Sequence, residues 1–285
     1  MKRDNDIFDM PIKGSDDHGS LPIKRAQELA VKRGIPLSEL EVLAMQGGIM
    51  PLRYQRNIGT ITAPEQQMLA KASVAIIGCG GLGGYVLEQL TRLGVGNILV
   101  WDYDVFEEHN LNRQLMSSID SIGHSKVKIA EARVVSLNPA VRFQAVAGKF
   151  SEEQGRAILG GYRIVVDALD NVPDRLQLSA LCRELRIPLV HGAVEGWMGQ
   201  LTTQFPEELT IETIYAQVQN ADERRTISTP SFTPALIASL QAAEVIKVLL
   251  GRGEILRKKI MLVNLLDMDI DTIEIQDHET DQTGK

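Results

Sequence analysis

Four short stretches of this chain carry side chains whose types and spacing suit phosphate chemistry. Gly78-Cys79-Gly80-Gly81-Leu82-Gly83-Gly84 follows an apolar run and precedes a helix-like one. A G-x-G-x-x-G turn between strand and helix brings backbone N–H groups and the positive helix end against phosphate oxygens. Roughly 20 residues on, at the tip of the next strand, Asp102 in Asp102-Tyr103-Asp104 suits the two hydroxyls of a ribose. Asn110-Leu111-Asn112-Arg113-Gln114, with Lys126 following, forms a cationic cluster. Arg113 and Lys126, beside Asn110 and Asn112, can offset charge on a triphosphate and a leaving pyrophosphate. A simple nicotinamide enzyme has no need of such a cluster beside its ribose. The fourth stretch, Asp167-Ala168-Leu169-Asp170-Asn171, ends another apolar run. Asp170 there can hold Mg²⁺ against phosphates, and Asn171 can cap the next helix as well as touch a ligand.

Positioning these groups requires alternating strands and helices. Strands are predicted at 74–77, 97–101, 141–146, 164–166 and 188–191, and helices at 82–93, 126–137, 151–159 and 173–184. This alternation implies a parallel sheet with helices on both faces. Later strands at 200–205, 259–263 and 272–275 lack intervening helices, so an antiparallel extension is expected. A helix at 234–250 has Pro at its start and Gly251 past its end. The expected fold is therefore α/β: Rossmann-like, doubly wound and mainly parallel, extended by antiparallel strands in the C-terminal half. Residues 1–20 and 277–285 are polar and expected to be disordered, 21–49 to form a helical arm, and 50–276 to form the nucleotide-binding domain. The arm's two helices, split by Gly34-Ile35-Pro36, have the outline of a helix-turn-helix. The acidic charge and the missing third helix favour a docking arm instead. The connection from Asp102 to Lys126 is far longer than the usual 2–6 residues or so, which suggests function.

With 285 residues, 44% hydrophobic and 24% charged, the chain can bury one substantial core. A net charge of -7 argues against nucleic acid as a partner. No apolar run approaches the ~18–20 residues that span a bilayer, so no membrane is expected. The start, Met1-Lys2-Arg3-Asp4, lacks the apolar core of a secretory signal. Cys79 and Cys182 are the only cysteines, too few for a disulfide framework or a four-cysteine zinc site. A cytoplasmic location is expected.

In order and spacing these motifs resemble the ubiquitin-activating-type adenylyltransferases, the family of MoeB and ThiF. They are joined by Arg53-Tyr54-Gln55-Arg56, Gly192-Ala193, Met198-Gly199-Gln200 and the run from Ser239 to Lys247. The resemblance covers roughly residues 52–275. It implies that Gly80 and Gly81 lie against ATP phosphates and Asp102 holds the ribose. Asn110, Arg113 and Lys126 would contact the triphosphate, and Asp170 would anchor Mg²⁺, with Asp104 assisting. It implies a homodimer in which Arg56 reaches the triphosphate of the partner subunit. Residues 194–200 would border a channel for the C-terminal glycines of a ubiquitin-like sulfur-carrier protein ending in Gly-Gly. That carboxylate would attack the ATP α-phosphorus, giving an acyl adenylate and pyrophosphate, with Arg113, Asp170 and Arg56 as the catalytic residues.

Two features of the family are missing from the sequence. Many relatives hold zinc with two Cys-x-x-Cys pairs, and many carry a reactive cysteine in the loop before the late helix; neither occurs here. No zinc is expected, and Cys79 and Cys182 read as packing residues. Other readings are adenylation of a small-molecule or tRNA-nucleoside carboxylate, a nucleotide-binding scaffold without turnover, and a nicotinamide-dependent oxidoreductase.

Overall fold

A computed structural model of the chain describes residues 19–216 and 228–275. It begins with the arm: strand β1 (Ser20–Leu21), helices α1 (Ile23–Arg33) and α2 (Leu37–Gln46), and strand β2 (Met50–Pro51), which pairs in parallel with β1. Gly34 stops α1 in the left-handed region, at φ 65°, and its N–H donates to the Ala30 and Val31 carbonyls. Leu21, Ala26, Ala30, Leu40 and Ala44 form a small cluster of their own. The arm docks on its own chain: Glu41 pairs with Arg53, and Gln67 Nε2 donates to the Met45 carbonyl at 3.1 Å. Ser20, inside the stretch expected to be disordered, is buried in β1; residues 1–18 and 276–285 lie outside the described residues.

Helix α3 (Ala63–Lys71) was not anticipated, although its start is written in the sequence. The Thr62 side chain accepts from the Glu65 N–H, the Glu65 carboxylate accepts from the Thr62 N–H, and Pro64 follows the cap. Then come β3 (Ser73–Ile77), α4 (Gly83–Leu93), β4 (Asn97–Asp102), α5 (Lys126–Leu137), β5 (Arg142–Ala147), α6 (Glu152–Leu159), β6 (Ile164–Asp167), α7 (Val172–Glu184) and β7 (Leu189–Glu195). These five strands pair in parallel in the order β5-β4-β3-β6-β7. Strand β8 (Met198–Gln204), short helix α8 (Thr210–Tyr215), helix α9 (Phe232–Leu250), and strands β9 (Lys259–Asn264) and β10 (Asp269–Glu274) complete the description. β8, β9 and β10 extend the sheet in antiparallel sense beyond β7. The expected fold class is the observed one. β7 runs past the predicted 191 because Gly192 to Glu195 pair with β8, a partner that local apolar patterning does not reveal.

Alternation along β3 divides the core. Val74 and Ile76 face one cluster with Val86 and Leu90 of α4, Val127 of α5 and Val245 of α9. Ala75 and Ile77 face the other, with Leu159 of α6, Leu178 of α7 and Ile211 of α8. α9 is long and apolar enough to cross a membrane, which the reading for apolar runs did not register. Its buried Ile237, Ala238, Ala242, Val245 and Leu249 make it a core helix. β4 and β5 lie on one side of β3 and β6 on the other, so a crevice opens between the carboxyl ends of β3 and β6. Such a switch point is where doubly wound sheets bind ligands.

Candidate functional site

The glycine turn occupies this switch point. Gly78 has φ 99°, its N–H donates to the Trp101 carbonyl at 2.8 Å, and a Cβ there would lie 2.4 Å from the Ala168 carbonyl oxygen. A Cβ at Gly83 would come within 1.9 Å of the Gly78 oxygen, so the turn closes only with glycine at both positions. Gly80 and Gly81 do a different job. Around Gly80 the nearest neighbour is Gln114 Nε2, 3.7 Å from a would-be Cβ; around Gly81, Pro234 at 3.5 Å and Arg113 Cγ at 3.8 Å. Among the described residues the N–H groups of Gly80, Gly81 and Leu82 have no hydrogen-bond partner. An open cradle of free N–H groups at the start of an 11-residue helix fits a polyphosphate.

Asp102 ends β4 and braces this cradle. Its Oδ2 accepts from the Cys79 N–H at 2.6 Å and its Oδ1 from the Asp104 N–H at 2.8 Å. Each oxygen keeps lone-pair capacity, so a ribose hydroxyl can still donate to it. Sequence reasoning assigned Asp102 only to the ribose and missed this second, architectural task.

The loop after β4 is built on two short 3-10 turns, Glu108–Asn110 and Ile119–Ser121. Asn110 is buried, and its Oδ1 accepts from the Glu107 N–H at 3.0 Å; it holds the loop from inside. Asn112 Nδ2 donates to the Thr229 carbonyl at 3.0 Å, linking the loop to the segment before α9. Arg113 Nη1 donates to Asn112 Oδ1 at 2.8 Å and to the His109 carbonyl at 3.0 Å, which leaves donors of its fork available. Lys126, at the start of α5, is buried with its Nζ 3.0 Å from Asp104 Oδ2.

Across the crevice, Asn171 caps α7: its Oδ1 accepts from the Asp174 N–H at 2.9 Å, and its Nδ2 donates to Asp174 Oδ2 at 2.9 Å. Asp170 is exposed, and among the described residues its carboxylate accepts only from Asn171 Nδ2, at 3.4 Å. The Tyr103 hydroxyl lies among carboxylates: Asp104 first, then burial, Asp170, Asp102 and Asp174 push its pKa up. The acidic groups of β4 and β6 therefore converge at one edge, with Arg113 and Lys126 as counter-charges. No three or more His, Cys, Asp or Glu residues form a metal cage among the described residues. A free carboxylate beside a phosphate cradle fits Mg²⁺ shared between protein and phosphates, the mode this ion favours.

Arg56 is not brought to this edge. It lies exposed on the 3-10 turn Leu52–Asn57, without a partner among the described residues. Its neighbour Tyr54 is buried, accepts from Asn138 Nδ2 at 2.8 Å, and packs where a Cβ at Gly94 would strike its hydroxyl at 2.5 Å. Gly94 and Asn138 end α4 and α5, at the amino ends of the strands. Both cysteines are buried; burial first, then Asp102, pushes the Cys79 thiol up to about 12, and burial with Asp167 likewise raises Cys182.

A buried polar ring behind Asp170 escaped sequence reasoning. Arg175 Nη1 donates to Tyr215 OH at 2.6 Å, and that hydroxyl lies 3.2 Å from His191 Nε2. His191 Nδ1 is 2.7 Å from Asp167 Oδ2, and Asp167 Oδ1 accepts from the Leu169 N–H at 3.0 Å. The Leu169 carbonyl accepts from Arg175 Nη2 at 2.6 Å, which closes the ring. The carboxylate fixes a proton on Nδ1, leaving Nε2 to accept. Burial holds the His191 pKa below the ordinary imidazole value despite the pull of Asp167. The one signal in the sequence was a histidine and an aspartate ending adjacent apolar strands.

Fold and site together define an α/β nucleotide-binding protein with a cationic loop beside an open glycine turn. Residues 54–284 match the ThiF family, and the chain belongs to that family. It is 33% identical over 226 residues to the SAMP-activating enzyme E1 of Haloferax volcanii, covering 78% of this chain and 84% of that protein. It is 34% identical over 229 residues to the sulfur carrier protein adenylyltransferase of Thermus thermophilus, covering 75% and 83% respectively. Among solved structures, E. coli MccB with ATP has the same fold: TM-score 0.71, 22% identity, covering 80% of this chain and 72% of that one.

Proposed function

We propose that this ThiF-family chain is an ATP-dependent adenylyltransferase that activates the C-terminal carboxylate of a ubiquitin-like sulfur-carrier protein ending in Gly-Gly. The observation that carries the reading is the meeting, at one switch point, of the open cradle at Gly80 and Gly81, Asp102, the Arg113–Lys126 loop and the free carboxylate of Asp170. The names of its relatives support the substrate class. In this reading Gly80, Gly81 and Leu82 donate N–H groups to phosphate oxygens, and Asp102 accepts from the ribose. Asn110 and Asn112 hold the loop that presents Arg113, and Asn171 fixes the turn that presents Asp170. Mg²⁺, when bound, would draw charge from the phosphates. A carboxylate oxygen of the carrier forms a bond to the α-phosphorus, and the bond from that phosphorus to pyrophosphate breaks. Arg113 and Lys126 stabilise the charge that moves onto the leaving group. The β7–β8 hairpin, whose Trp197 ring lies 4.6 Å from that of Phe232 at the start of α9, would border the entering C-terminus. Arg56 would act on the partner subunit's site in a homodimer. Without the family's usual cysteine, the acyl adenylate would pass directly to an external nucleophile.

The test is ATP–pyrophosphate exchange with a Gly-Gly-ending carrier. Arg113→Ala and Asp170→Ala should each lower exchange by about 10²–10³ while ATP binding falls much less. Near-normal exchange in Asp170→Ala, or exchange driven equally well by small carboxylates, would reject the assignment.

A further inference from the structure

The buried ring closes on Leu169, the residue before Asp170. Leu169 is held at both ends of its backbone, its N–H by Asp167 Oδ1 at 3.0 Å and its carbonyl by Arg175 Nη2 at 2.6 Å and Nε at 3.2 Å. On the other side, the Asn171 side chain caps α7. Asp170 is thus an exposed carboxylate on a backbone clamped immediately before and after it. A group that must meet a cation in near-octahedral geometry gains from that, since a displacement of ~0.5 Å already degrades such a site.

The two clamping groups are themselves charged and buried, and each depends on a further partner. Asp167 is fully buried and receives His191 Nδ1 at 2.7 Å; Arg175 delivers its remaining nitrogen to Tyr215 at 2.6 Å. Arg175 and Asp167 also face each other, Nε to Oδ2 at 3.8 Å, too long for a hydrogen bond; a buried charge that loses one of its hydrogen bonds is costly, and it regains a partner by moving toward water or neighbouring backbone. Here the neighbouring backbone is the Asp170 turn. Gln200 of β8 ties the ring to the β7–β8 hairpin, with its Nε2 3.0 Å from Tyr215 OH and 3.1 Å from His191 Nε2.

We propose that His191 and Tyr215 are positioning residues for Asp170: by completing the ring around Leu169 they set where the Asp170 carboxylate meets a metal-bound polyphosphate. This rests on the reading of Asp170 given above.

The experiment measures ATP binding by calorimetry on the purified full-length chain, with Mn²⁺ present and with EDTA, alongside thermal unfolding. The readout is the gain in ATP affinity that Mn²⁺ confers. His191→Ala and Tyr215→Phe should each lose about three- to tenfold of that gain while affinity in EDTA stays near wild type. His191→Asn, whose amide nitrogen falls near the Nδ1 position and still donates to Asp167, should keep most of it. In an Asp170→Ala background, His191→Ala should cost no further gain. If His191→Ala does not fold, Tyr215→Phe against His191→Asn decides the matter. Folded variants that keep the full gain, while Asp170→Ala loses it, overturn the positioning role alone. Equal losses with and without Mn²⁺ overturn it too, because that pattern marks general destabilisation. Retention of the gain by Asp170→Ala overturns the metal reading of Asp170 and the ring's role with it.

Discussion

The backbone N–H of Cys79 donates to the Asp102 carboxylate at 2.6 Å, tying the glycine turn to the tip of the neighbouring strand. One carboxylate therefore shapes the glycine turn and, in the proposed reading, also accepts from the ribose. Removing it should act on nucleotide affinity by two routes at once.

Asp102→Ala should bind ATP at least about tenfold more weakly, because it leaves the buried Cys79 N–H unpaired and the ribose hydroxyls without an acceptor. The wild type should bind Mg-ATP far more tightly than NAD. Calorimetry with both nucleotides checks this, and equal affinities would refute the nucleotide assignment.

Arg56 lies at the amino edge of its own sheet, remote from its own cradle, so its contribution should be made in trans. Mixing Arg56→Ala chains with Asp170→Ala chains should restore about a quarter of wild-type exchange, one intact hybrid site in each heterodimer. Heterodimers that form and stay inactive would disprove the assignment.

Both thiols should be inert in the folded protein. Burial pushes the Cys79 thiol up to about 12 and raises the Cys182 thiol as well, so neither supplies a reactive thiolate near neutral pH. Iodoacetamide should label neither until the chain is denatured, and replacing both cysteines by Ala should spare exchange. A carrier thioester trapped on Cys182 would contradict this.

His191 should make stability depend on pH. Its folded pKa is lowered, by burial first, while Asp167 raises it and Arg175 lowers it; Tyr215 is the other titratable group against the ring. Below its unfolded value of 6.5 the unfolded chain takes up the proton more readily. The contribution is therefore complete above pH 6.5 and is lost as pH falls toward the depressed folded value. Thermal melts between pH 7.5 and pH 5 should drop more steeply for wild type than for His191→Asn, about pH values chosen to bracket an ordinary histidine. Parallel curves would count against it.

Residues close together along the chain were legible in the sequence, and those far apart were not. The cradle, Asp102, Asp170 and the Asn171 cap were legible because each belongs to a strand–turn–helix unit, where nearest-neighbour backbone geometry dictates which side chain ends at the carboxyl edge. The helix at Lys126 and the antiparallel extension followed from the same local periodicities. The amino-acid sequence alone thus determined the fold class and which of these side chains end at the carboxyl edge of the sheet. Tertiary structure decided the rest. Asp167, Arg175, His191 and Tyr215 come from β6, α7, β7 and α8, and no spacing links them; they meet only because β8 returns antiparallel and delivers α8 onto α7. Arg56 reads as one more surface cation until Tyr54, locked against Gly94 and Asn138, fixes its turn at the opposite edge of the sheet. Hydrogen bonds and packing between elements far apart in sequence depend on how the layers stack, and side-chain pattern along one strand or helix carries no record of that.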